Sequence, residues 1–317
     1  MSALRPFFLR SRVILASYGL ALVMLVVATL FRPSFGSIEH LRTLAIDASI
    51  IGFVALGQTF VILTGGIDLS IPWTLNSAAI LLTLLTGGKD DALIWAVPLI
   101  LSMAALIGFI NGAGITLLGI SPVIMTLGMN AILQGALVGY TSGGRPGSTA
   151  PPAISFLAQG SIGGIPVDLI LWVVIIIGAT LILSYTTLGR SIYAIGNNAL
   201  AARFSGIDVR RVRIFVYMFS AVTAALAGII LTGRIGRSYL GMGDLYLFAS
   251  VAAVAIGGGS ILGGSGHYLG TVAGTFVLTL VAGLLPIFNL PASTQQILYG
   301  VIVLGMVLLA RGRAAER

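Results

Sequence analysis

Long apolar runs alternate with short polar breaks along this chain. Ten runs can be drawn, at residues 13–31, 44–63, 71–86, 92–117, 122–141 and 168–185, then 212–232, 246–262, 267–285 and 294–310. A helix needs about 20 predominantly apolar residues to cross the hydrocarbon of a bilayer, so each run is read as one crossing. The expected fold class is an all-α membrane protein, a polytopic bundle of about ten transmembrane helices forming one domain over residues 1–317. The split of Ala92–Tyr140 into two helices rests on the break Gly119-Ile-Ser-Pro122. The first run is too long for a secretory signal and lacks a small-residue cleavage site, so it is read as a retained helix.

Composition agrees. Only 26 of 317 residues are charged, 17 basic and 9 acidic, while 57% are hydrophobic. A soluble domain carries about 25% charged residues, and such a chain cannot cover its surface in water. Fifty-three residues between Asp91 and Arg145, and 66 between Asp244 and Arg311, contain no Asp, Glu, Lys or Arg. No soluble catalytic domain fits, and nothing points to nucleic acid.

The basic residues set the expected orientation, because segments retained in the cytoplasm are enriched in Lys and Arg. Arg5, Arg10 and Arg12 precede the first run; Arg190, Arg203, Arg210, Arg211 and Arg213 fill a central loop; Arg311, Arg313 and Arg317 close the chain. Both termini and the central loop, 186–211, are therefore placed inside. The remaining basic residues are scattered among acidic ones. One long outside loop, 142–167, is rich in Pro, Gly and Ser and is a candidate docking surface for an external partner.

Forty-two glycines suggest closely packed helices, since lipid provides no hydrophobic drive for helix association. Gly266, Gly270 and Gly274 read as two overlapping GxxxG steps on the ninth run, and Gly108 with Gly112 as another. The glycine-dense stretch 257–266 reads as a tight cytoplasmic reversal.

Several chemistries lack their residues. With no cysteine and two isolated histidines, His40 and His267, neither thiolate catalysis nor a metal site is expected. The only lysine, Lys89, is followed by Asp90 where a phosphate-binding loop needs Ser or Thr, so the chain is not expected to hydrolyse ATP. Gly263-Gly-Ser265-Gly266 matches the G-x-S-G of rhomboid-like intramembrane serine proteases. That reading needs a histidine base brought to Ser265 from another helix, whereas His267 is two residues away and His40 is near the opposite side. No catalytic residue is assigned.

Two stretches are more informative. In Val61-Ile-Leu-Thr-Gly-Gly-Ile-Asp68-Leu-Ser70, a Gly-Gly reversal ends one span; Ser70 is placed to cap the next through its hydroxyl, with Pro72 in its first turn. Asp68 is expected at a membrane boundary near that helix end, either balancing the dipole or lining a pathway. In the central loop, Asn198 suits an N-cap and Gly206 a C-terminal cap, so Ala199–Ser205 should form a short helix. Leu200, Ala201 and Phe204 give it apolar surface, and it reads as a segment held by a partner, with Ala202 and Arg203 in the same patch.

The stretch 61–70, the loop 188–213 and the block Val251–Gly270 resemble, in order and spacing, the permease subunits of bacterial ABC importers for ribose, xylose, arabinose and galactose-type sugars. Branched-chain amino acid permeases are more distant relatives. The resemblance implies a multi-pass protein of the bacterial inner membrane, surrounded by lipid, that moves a monosaccharide and is not itself an enzyme. It implies a second permease subunit, identical or paralogous, a periplasmic sugar-binding protein, and cytoplasmic ATPase subunits that carry ATP and magnesium. The helix between Asn198 and Gly206 would then seat in the ATPase. The chain itself would need no cofactor. Uncharged polar residues inside the spans, Asn111, Thr126, Asn130 and Gln134, are the candidates to meet sugar hydroxyls, together with Asp68. The chain departs from the pattern at Ile71-Pro72-Trp73 and at Gly243-Asp244, which leaves the sugar open.

Overall fold

The structure is a computed structural model that describes residues 5–141, 149–291 and 293–315, with side chains over 12–141, 149–291 and 293–305. Residues 142–148 of the loop 142–167, expected outside, lie beyond the described residues. In chain order the helices are α1 (Arg5–Phe31), α2 (Ile38–Leu63), α3 (Ile71–Thr86), α4 (Leu93–Leu117), α5 (Pro122–Thr141), α6 (Pro152–Gln159), α7 (Val167–Tyr185), α8 (Thr187–Asn197) and α9 (Ala199–Phe204). They continue with α10 (Val209–Ile235), α11 (Tyr246–Ile256), α12 (Tyr268–Leu284) and α13 (Ser293–Ala315). Between α6 and α7 the chain makes a small antiparallel hairpin, β1 (Ser161–Ile162) and β2 (Ile165–Pro166), with Ser161 opposite Pro166.

Each of the ten apolar runs contains a helix, and among the described residues seven helices are long and apolar enough to cross a membrane. The protein is an all-α, multi-pass membrane protein. The run 246–262 is a correction: its helix stops at Ile256, where Gly257 and Gly259 donate back to Ala253 and Val254, and Gly258 turns the chain at φ +83°.

At the centre lies α2, buried along nearly its whole length and packed by α10, α11 and α12. Around it, α10 also meets α3, α4 and α6. Small residues make these approaches possible, as expected where lipid gives no hydrophobic drive. Gly108 and Gly112 set α4 directly against the α10 backbone at Tyr217 and Ile214, and Gly270 and Gly274 set α12 against Gly257 and Ala253. Gly266 does not belong to that helical stripe. It lies in the preceding loop, and α12 begins only after His267, whose Nδ1 accepts the Leu269 N–H at 3.1 Å. At the periphery, α1 and α5 leave most of their surface uncovered.

Candidate functional site at two interrupted helices

Two of the apolar runs, α3 and α11, form helices too short to cross as helix alone. At about 1.5 Å per residue, α3 spans about 24 Å and α11 about 16 Å, against a hydrocarbon core of about 30 Å. Each is preceded by non-helical backbone, 64–70 before α3 and 236–245 before α11. Irregular backbone at such depth is tolerated where protein buries it or where it lines a cavity.

The first of these segments carries Asp68, which is buried at 1% exposure. Its Oδ1 accepts the Ser70 N–H at 2.9 Å and the Ser70 hydroxyl at 2.6 Å, and its Oδ2 accepts the Ser220 hydroxyl from the middle of α10 at 2.8 Å. Ser70 therefore does not cap α3 with its side chain; its backbone is already helical and its hydroxyl is turned onto Asp68. Three donors satisfy the carboxylate, as its burial requires.

Two of the other expected polar residues join this cluster. Asn111 of α4 donates from Nδ2 to the Ser70 hydroxyl at 2.9 Å, and Thr126 of α5 accepts the Leu69 N–H at 3.0 Å. Gln58 of α2 accepts the Asp68 N–H at 3.4 Å through Oε1. Asn111 Oδ1 and Gln58 Nε2 are buried without a hydrogen-bond partner, so the cluster keeps one free acceptor and one free donor. Asn130 lies one turn further along α5, half-buried, with Oδ1 also unpaired. Gln134 is not brought into the cluster; it is exposed on the outer face of α5.

The second irregular segment runs back along α3. Ser238 Oγ lies 2.7 Å from Thr83 Oγ1, Leu240 packs with Trp73 and Ile80, and the Trp73 side chain lies near the Asp244 carboxyl. Gly243 presses on the Pro72 carbonyl, where any Cβ would collide. The two departures from the sugar-permease pattern, at 71–73 and 243–244, thus touch each other.

The central loop forms α8 and α9. Asn198 caps α9, its Oδ1 accepting the Ala201 N–H at 2.9 Å, and Gly206 ends the turn at φ +84°. Leu200 (64% exposed) and Phe204 (84%) project from it, beside exposed Ala201 and Arg203. Ala202 is different. It is buried against the chain itself and forms no part of the presented surface. Next to the cap, Asn197 Nδ2 donates to the Gly264 carbonyl at 3.3 Å, and the Gly264 N–H donates to the Leu63 carbonyl at 3.0 Å. Through the glycine-rich turn, α9 is thereby tied to the end of α2, five residues before Asp68.

Ser265 has no histidine base. His267 uses Nδ1 on its own helix end and Nε2 on Ser184 of α7 at 3.1 Å. Among the described residues no group of three His, Cys, Asp or Glu could hold a metal ion. Sequence reading missed Ser70 as an Asp68 partner, and missed Gln58, Ser220 and Tyr217 altogether. Ser220 and Gln58 had one usable signal, a polar side chain in the middle of an apolar run.

The chain matches the family described as "Branched-chain amino acid transport system / permease component" over residues 41–307. It is 34% identical to the ribose import permease protein RbsC of Bacillus subtilis (strain 168), over 92% of this chain and 91% of that protein. It is 32% identical to RbsC of Escherichia coli (strain K12), over 91% and 90%. Against the autoinducer 2 import system permease protein LsrD of Photorhabdus temperata the identity is 31%, over 90% and 88%. No solved structure matches. With interrupted helices around a buried polar cluster and a likeness that runs nearly end to end, the chain belongs to the branched-chain amino acid transport system / permease component family, and it is a membrane permease component rather than an enzyme.

Proposed function

We propose that this chain is the permease subunit of an ATP-binding-cassette importer that carries a monosaccharide, or a similarly polyhydroxylated solute, across a bacterial inner membrane. The observation that carries this reading is the uncharged part of the cluster, Ser70, Asn111, Thr126, Asn130 and Gln58, in a chain alike over nine-tenths of its length to ribose permeases. Amide and hydroxyl groups exchange hydrogen bonds with a neutral polyol without burying further charge. A zwitterionic amino acid would present its carboxylate near Asp68, and among the described residues no cationic side chain hydrogen-bonds or ion-pairs with the cluster.

The finer architecture follows from the same residues. Ten crossings with both termini, α9 and the loop 186–211 on the cytoplasmic side satisfy the arginine distribution. ATPase subunits, which carry ATP and magnesium, would hold Leu200, Ala201 and Phe204 between the caps Asn198 and Gly206. Alternation in the ATPase then reaches Asp68 through Asn197, Gly264 and Leu63. A sugar-binding protein would dock on the opposite side, against the loop 142–167. The uncovered face of α5 supports a second permease chain: Gly128, Gly135 and Gly139 leave open space there beside exposed Gln134. Small residues on a membrane helix favour close helix approach, and Gln134 would then face the pathway between the two permeases.

The test is competition. In cells expressing the chain with its ATPase and binding protein, unlabelled ribose or a related pentose or hexose in hundredfold excess should suppress uptake of labelled sugar. Leucine at the same concentration should leave it unchanged. Suppression by leucine alone would replace the sugar reading with the amino acid one.

A further inference from the structure

A cavity of about 390 Å³ opens where the end of α2, the break between α4 and α5, and the first turns of α10 meet. This is the membrane end that also carries α9. Its lining includes Thr64, Gly66, Gly119, Ser121, Arg213 and Tyr217, and no Asp or Glu. Arg213 is the only charged residue among the described ones that line it. That guanidinium makes one long hydrogen bond, from Nη2 to the Thr64 carbonyl at 3.5 Å, and no carboxylate among the described residues pairs with it. Tyr217 is 1% exposed, yet its hydroxyl has no hydrogen-bond partner. Asp68, the nearest acidic residue in sequence, does not line the cavity; its carboxylate oxygens are engaged by Ser70 and Ser220. The N-terminus of α5, a helix of 20 residues, opens on the same space through Ser121 and Pro122.

These features share one chemical preference. An unpaired guanidinium gives charge and a fork of donors suited to phosphate oxygens. A helix N-terminus adds N–H groups and the positive end of the dipole. A buried hydroxyl without a partner needs one. We propose that this cavity binds a phosphate-bearing anion, with Arg213 as its charge and the Tyr217 hydroxyl as a donor to the phosphate. One water occupies about 30 Å³ of liquid, so the volume admits a phosphate ester of a small polyol as well as bare phosphate. The same chemistry is offered by the phosphate of an inner-leaflet lipid headgroup.

The experiment uses the full chain, purified in detergent and stripped of lipid, with thermal unfolding followed against inorganic phosphate, glycerol 3-phosphate or a short-chain phosphatidylglycerol. Sodium chloride at matched ionic strength is the control. Each variant is referred to its own ligand-free midpoint, so a change in basal stability does not enter. Phosphate compounds should raise the midpoint where chloride does not. Arg213→Gln should shift the half-effective concentration upward at least tenfold, and Tyr217→Phe, which removes a hydroxyl with no partner in the protein, several-fold. If Arg213→Gln does not fold, Tyr217→Phe alone decides. Stabilisation by the free phosphates points to a soluble ligand, and stabilisation by the lipid alone points to a headgroup; either supports the site. The proposal is overturned by a response to none of the three, by variants that respond like the parent, or by glycerol and ribose protecting as well as their phosphates do.

Discussion

Asp68→Ala is expected to lower ATP-driven solute uptake by at least tenfold and to reduce the thermal midpoint of the purified permease. The carboxylate accepts from three donors, the Ser70 N–H, the Ser70 hydroxyl and the Ser220 hydroxyl. Its removal leaves them buried without an acceptor, at about 1–3 kcal/mol for each donor that finds no substitute. The damage also reaches geometry. Asp68 joins the irregular segment before α3 to the middle of α10, and Ser70 in turn receives Asn111 from α4. Loss of that junction releases the elements carrying the polar groups proposed to meet solute. Asp68→Asn retains one acceptor oxygen but brings an NH₂ group that faces a hydroxyl, so it should fall between parent and alanine in both uptake and midpoint. Parental uptake by Asp68→Ala would show that the cluster is neither a scaffold for the pathway nor part of it.

Phe204→Glu should separate folding from coupling. The ring is 84% exposed on α9 and touches little of its own chain, so a charge there leaves the permease inserted and folded at its parental midpoint. If an ATPase subunit encloses that ring, the same charge would be buried against a partner without a counter-ion, at several kcal/mol. Co-purification of the ATPase should fall at least tenfold, and uptake with it. Leu200→Glu, one turn earlier on the same exposed face, should repeat the effect. Ala202 is the instructive contrast. Because it is buried against the chain itself, a charge there damages the local fold and says nothing about a partner. Phe204→Glu that retains full ATPase binding would reduce α9 to a connector.

Much of this was legible in the sequence because membrane helices announce themselves by composition. The ends of α3 and α5 were read to the residue, and α9 with its caps at Asn198 and Gly206 to within one. What escaped had a common cause: the apolar-run criterion assumes that apolar sequence is helix. It extended α11 through Gly257–Leu262, although the glycines close that helix at Ile256. It also gave no hint that 236–245 turns back along α3, since that stretch, with Arg237, Asp244 and three glycines, falls between the apolar runs. The role of Ser70 escaped for a related reason: Ser70 and Pro72 suit a helix start, which predicts a capping hydroxyl, whereas here that hydroxyl is turned onto buried Asp68. Ser220 reaches Asp68 from 152 residues away in sequence, and only packing shows that they meet. The contact between Pro72 and Gly243, and between Trp73 and Asp244, joins two local oddities that sequence reading could only record separately.

The most direct measurement of the central claim is transport in proteoliposomes assembled from this chain, its ATPase subunits and the sugar-binding protein. With ATP inside, and binding protein with radiolabelled ribose or a competing pentose or hexose outside, accumulation should exceed the external concentration. It should drop to the leak rate when ATP, the ATPase or the binding protein is omitted. Sugar accumulation that proceeds at the same rate without the ATPase, or its complete absence with every component present and active, would contradict the assignment of this chain as an ATP-driven sugar permease.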